Sequence, residues 1–150
     1  MKKTVSLLVI CVLIFTLICP VLATPANEEA YLQEYTLENG LRVVDSITVH
    51  SNNRASTTSA ERKRSFYDGD TLVAYIRFIA DFRYDGSTVS VVSKTITNTN
   101  TYDGWSYVQN SFTSSGGTVT LNAKITKWLI FNTPFTMTLS CDKNGNISYS

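Results

Sequence analysis

The chain has 150 residues with 13 Lys and Arg against 12 Asp and Glu, a near-neutral balance that excludes the concentrated basic surface nucleic acid requires. That length suits one domain with a core of its own and no need of disulfide staples. Of the three cysteines only Cys141 lies beyond the first 23 residues, so an exported chain lacking those residues forms no internal disulfide.

The N-terminal stretch reads as a signal peptide. Lys2 and Lys3 precede an apolar run from Val5 to Ile18, Pro20 breaks it, and Val21 and Ala23 give the spacing for cleavage after Ala23. The run is short for a spanning helix, which disfavours an uncleaved anchor. Thr16, Leu17 and Ile18 ahead of Cys19 lack the small residues of a lipidation signal. Residues 24–60 read as a flexible N-terminal segment, acidic around Tyr31 and Leu32, with a short hairpin at Asn39-Gly40 and a polar linker from His50 to Ala60. The compact domain is therefore expected over residues 61–150.

Within it, Glu61 to Tyr67 leads through Asp68-Gly69-Asp70 into the clearest element, Thr71 to Tyr84. Leu72, Ala74, Ile76, Phe78, Ala80, Phe82 and Tyr84 alternate with positions that include Arg77, Asp81 and Arg83. A period of two specifies a strand with one buried face. Arg62 and Arg64 share a face of the preceding strand and read as a solvated basic strand end. Asp85-Gly86 predicts a two-residue turn that sets Phe82 opposite Val89 and Ala80 opposite Val91.

Lys94 to Tyr102 reads as a connection. Trp105 to Phe112 carries apolar residues on both parities, so that strand can bury either face. Past Ser114-Ser115-Gly116-Gly117, the residues Val119, Leu121, Ala123 and Ile125 alternate cleanly. The apolar phase slips at Lys127 and Trp128, which predicts a bulge or a strand end there. Pro134 breaks the run, Phe135 to Cys141 alternates again with the thiol on the apolar side, and Asp142 to Asn146 turns the chain into a last strand, Ile147 to Tyr149. About seven strands, turn signals between them and no helix predict an all-β fold. An antiparallel β-sandwich is expected, with a small β-barrel as the alternative.

The turn chemistry of Tyr67-Asp68-Gly69-Asp70, Phe82 to Ser87, Gly104-Trp105, Ser114 to Gly117 and Cys141 to Asn146 resembles that of small secreted bacterial β-proteins of unknown function, over about residues 61–150. The resemblance implies the fold and no catalytic residue.

No catalytic, metal or cofactor site is expected. His50, the single histidine, lies in the polar linker, away from any relay of the serine or cysteine type. Asp68 and Asp70 bracket a glycine in a turn, where aspartate serves its own backbone. Tyr102, Trp105 and Tyr107 cluster around Asp103-Gly104 and form the expected ligand site, since rings there can stack on a sugar or anchor a protein. The expected function is a secreted, non-enzymatic β-domain, extracellular or cell-wall associated, that binds a cell-surface glycan or protein. A membrane-acting toxin or bacteriocin-like protein, built from amphipathic strands of several copies, is the alternative.

Overall fold

The structure is a computed structural model and describes residues 28–51, 56–128 and 130–150. The expected signal peptide lies outside the described residues. In chain order the strands are β1 (Glu28–Thr36), β2 (Arg42–Ser51), β3 (Thr57–Asp68), β4 (Thr71–Tyr84) and β5 (Val89–Thr101). They continue as β6 (Trp105–Ser115), β7 (Thr118–Lys127), β8 (Phe131–Cys141) and β9 (Ile147–Tyr149). The first five form one antiparallel sheet in the order β1-β2-β3-β4-β5, and the rest form a second in the order β6-β7-β8-β9. Within each sheet every strand pairs with its neighbour in sequence, the β5–β6 connection passes from one sheet to the other, and the sheets stack without closing. The sandwich is correct and the barrel is not.

Alternation builds the core. Val43 and Ile47 of β2, Ala60 and Phe66 of β3, and Ala74, Ile76, Phe78, Ala80 and Phe82 of β4 face Val119, Leu121, Ala123 and Ile125 of β7 and Met137 and Leu139 of β8, all buried. Rings interlock between the sheets, Phe66 against Phe135 at 5.2 Å and Phe78 edge-on to Phe112 at 5.5 Å between centroids. Cys141 is buried as expected of its parity.

The structure differs from the sequence expectations at particular places. β1 and β2 are full members of the first sheet, with Val43 and Ile47 in the core, so the sandwich takes in residues upstream of Glu61. The β4–β5 turn holds four residues rather than two, setting Tyr84 opposite Val89 and Phe82 opposite Val91. Asp85 widens it by accepting hydrogen bonds from the backbone N–H groups of Ser87 (2.9 Å) and Thr88 (2.7 Å). The shift is two residues, so the apolar parity survives. β5 runs through to Thr101 where a connection was expected, because the long β4 supplies a ladder partner throughout and Asn98 and Asn100 donate to the Tyr75 hydroxyl.

A register shift between Gln109 and Ser111 resolves the mixed parity of β6. Ahead of it the odd residues Trp105 and Tyr107 turn inward, and after it the even Phe112 does. One extra residue moves the apolar set onto the same face. Pro134 lies inside β8 rather than before it. Thr138, of the same parity, points its N–H away from β7 toward the Ser150 carbonyl, so the N–H that proline lacks would face an outer edge, and β9 covers only Leu139 to Cys141 of that edge.

The largest departure concerns Arg62 and Arg64. They are not a solvated strand end but lie on the inner face of β3, 2% and 6% exposed, beside a 2% exposed Asp45 of β2. Arg64 grips the carboxylate with Nε to Oδ1 at 2.8 Å and Nη2 to Oδ2, and Arg62 Nη2 reaches Oδ2 at 3.1 Å. The outer nitrogens cross to the other sheet, Arg62 donating to the Thr138 carbonyl (2.7 Å) and Arg64 to the Thr136 carbonyl (3.1 Å). Two guanidiniums thus take up edge carbonyls of β8, both beyond the residues that β9 pairs.

Candidate functional site

Connections alternate between the two ends of a meander, so the turns at residues 37–41, 69–70, 102–104 and 128–130 share one end. Contacts tie them together. Asn39 Nδ2 donates to Thr133 Oγ1 at 2.7 Å, and the Tyr102 N–H donates to the Val73 carbonyl at 2.9 Å. A methyl placed on Gly104 would lie 3.6 Å from Trp128 Nε1, so the indole rests on the β5–β6 turn.

The three aromatics expected to form a ligand site are distributed by depth. Tyr102 is on the surface, Tyr107 is half-buried with its hydroxyl pKa raised by desolvation, and Trp105 is only 5% exposed. Trp105 packs its ring 5.8 Å from that of Phe131 and closes this end of the core. Lys127 Nζ lies 5.7 Å from the Trp105 ring and 5.6 Å from the Trp128 ring, a cation between two indole faces.

Beyond that buried layer the same end presents apolar surface that sequence reasoning did not single out. Trp128 and Ile130 are 75% and 76% exposed in the β7–β8 turn, with Phe131 and Tyr102 partly exposed beside them. Trp128 adopts a left-handed backbone, φ 54°, a conformation that costs a bulky residue roughly 1–2 kcal/mol and suits Gly or Asn. The phase slip at Lys127 was the available signal. It locates the end of β7 correctly, and Trp128 and Ile130, which follow the slip, are apolar without a strand to bury them.

Next to this tip the β1–β2 turn and the first residues of β8 enclose an open cleft of about 320 Å³, lined by Leu37, Glu38, Asn39, Asn132, Thr133 and Pro134. Asn39 is committed to the structure, since its amide donates to Thr133 and its carbonyl oxygen accepts from the Leu41 N–H at 3.2 Å. Glu38 and Asn132 are exposed, with no side-chain hydrogen bond to another described residue, leaving a carboxylate and an amide beside the apolar flanks of Leu37 and Pro134. The walls come from positions far apart in the chain, so no local motif announces them.

Among the described residues no group of three His, Cys, Asp or Glu side chains gathers to hold a metal. Burial, with the charge of Asp142 adding to it, pushes the Cys141 thiol up to about 11, which leaves it protonated and a poor nucleophile at neutral pH. Asp85 and Asp142 have carboxyl pKa values below the ordinary one, Asp85 through the Thr88 and Ser87 N–H groups and Asp142 through the side chain and backbone of Asn146, both as turn formers. No family model, curated protein or solved structure matches the chain.

Proposed function

We propose that the protein is a secreted, non-enzymatic binding module that holds a cell-surface glycan in the cleft between the β1–β2 turn and β8. The observation that carries this reading is the lining itself. One carboxylate and one amide stand beside apolar flanks of Leu37 and Pro134, the mixture of directional polar groups and apolar surface a sugar takes. A single carboxylate in that lining suits holding a glycan, whereas hydrolysis of one requires two facing each other across the bond. The signal-peptide pattern supports an extracellular or cell-wall location.

The sandwich also supports this reading over the membrane-spanning alternative. The outer face of β4 carries Arg77, ion-paired with Glu61 at 3.1 Å, together with Asp81 and Arg83, charges that cost several kcal/mol each against lipid at mid-bilayer depth.

Retention of the exported protein on cell-wall polysaccharide tests the proposal. Glu38→Gln with Asn132→Ala is expected to weaken retention at least tenfold with an unchanged thermal midpoint, because neither side chain is part of the core. Equal retention by wild type and the double variant would sink the cleft as the site.

A further inference from the structure

The β7–β8 tip calls for an account separate from the cleft. Lys127-Trp128-Leu129-Ile130-Phe131 is continuous in sequence, and the structure leaves Trp128 and Ile130 three-quarters exposed at its end. Large apolar side chains held clear of the core forfeit roughly 1.5–3 kcal/mol each that burial would return. Here a left-handed backbone adds strain to keep the indole outside. Such an arrangement is stable only in the sense that another phase recovers what water withholds.

The occupant follows from area and charge. An aromatic side chain buries at most roughly 150–250 Å², so the tip offers a partner less than about 500 Å², where a stable protein interface takes about 800 Å² from each side. A lipid surface has no such threshold, because a few side chains entering the acyl boundary suffice for reversible attachment. Tryptophan also fits the boundary between headgroup and hydrocarbon, with an apolar body and an N–H that stays wet. The other turns at this end are acidic, with Glu38, Asp68, Asp70 and Asp103 exposed, while Lys127 is drawn back between the indoles and Arg42 is paired with Glu34 at 3.2 Å. That collar repels an anionic surface and complements the outward-facing quaternary ammonium of a choline headgroup, which exposed rings also attract.

We propose that the β7–β8 tip inserts Trp128 and Ile130 into the interface of a zwitterionic, choline-headgroup bilayer and seats this end of the sandwich on a membrane surface. Attachment is peripheral. The strands stay outside the lipid, and no glycan is required.

The test uses the exported protein and phosphatidylcholine vesicles. With two tryptophans in the chain, one buried and one exposed, fluorescence separates them. Vesicles are expected to sediment the protein, shift its emission to the blue, and let brominated phosphatidylcholine quench the Trp128 component. Trp128→Asn with Ile130→Asn is expected to lower vesicle affinity at least tenfold at an unchanged thermal midpoint, since asparagine tolerates the left-handed turn. Replacing a third of the lipid by phosphatidylglycerol is expected to weaken binding. Absence of sedimentation, equal binding by the double variant, or binding that strengthens with phosphatidylglycerol would overturn the proposal. The cleft variant Asn132→Ala, which leaves the acidic collar intact, is expected to bind these vesicles as wild type does, which keeps the outcome separate from that of glycan binding.

Discussion

Asp45 shows how much one residue decides in this fold. Two buried arginines share its carboxylate and the carbonyls of β8, and burial lowers the pKa of Arg62 against the opposing pull of Asp45. Arginine keeps its charge even so. Removing the carboxylate leaves two cations inside, so Asp45→Asn is expected to cost about 3–5 kcal/mol, read from the denaturant midpoint. Trp105→Ala empties a core position and is expected to cost about 3–5 kcal/mol as well, so a loss of ligand in that variant would accompany a loss of fold. Cys141 makes a pH prediction. Its thiol rises from 9.0 to about 11, so between those values the folded chain keeps a proton the unfolded chain has lost, and stability falls as pH climbs through that window. The sign reverses for Asp85 and Asp142, whose pKa values are lowered in the fold. Their contribution is present above the ordinary carboxyl range and fades on acidification, visible as a falling thermal midpoint below about pH 4.

At the scale of the element, period-two alternation was the reliable signal. β4, β7 and the end of β8 were legible because each buries one face against an opposing sheet. The second half of β5, from Lys94 on, was hidden because an edge strand rich in Thr and Asn carries little apolar pattern. β3 was read only from Glu61, with Thr57 to Ala60 assigned to the linker, and its arginines were read as wet although Phe66 of the same parity marked that face as the inner one. The edge of β8 carries its own prediction. Pro134 withholds an N–H where no strand covers the described chain, a device that discourages pairing between molecules. Pro134→Val is expected to change the thermal midpoint little and to raise the concentration-dependent dimer or aggregate fraction seen by light scattering. Gly117 is the opposite case, since a methyl there would sit 2.5 Å from the Cys141 carbonyl and 2.6 Å from Val89. Gly117→Ala is expected to cost about 1–3 kcal/mol through overpacking.

Across the whole molecule, the two sheets depend on each other through groups that neither can satisfy alone. A chain beginning at Glu61, the boundary that composition suggests, would lack Val43, Ile47 and Asp45 while keeping Arg62 and Arg64. It is expected to show no cooperative thermal transition by circular dichroism, whereas the chain from residue 24 is expected to melt in one step. The candidate site was the least legible feature, because turn residues from β1–β2 and β7–β8 become neighbours only once the sheets stack. The span of guanidinium groups from β3 to β8 has one more consequence. Greasy faces alone tolerate sliding by a full pleat, since every second side chain is interchangeable oil. Forked planar donors seated on two successive same-side oxygens recognise a single notch, and a slip of one pleat would part Arg62 from the Ser150 carbonyl to which it also donates. The stagger between the layers is thereby keyed, like a bolt that enters one hole of a row.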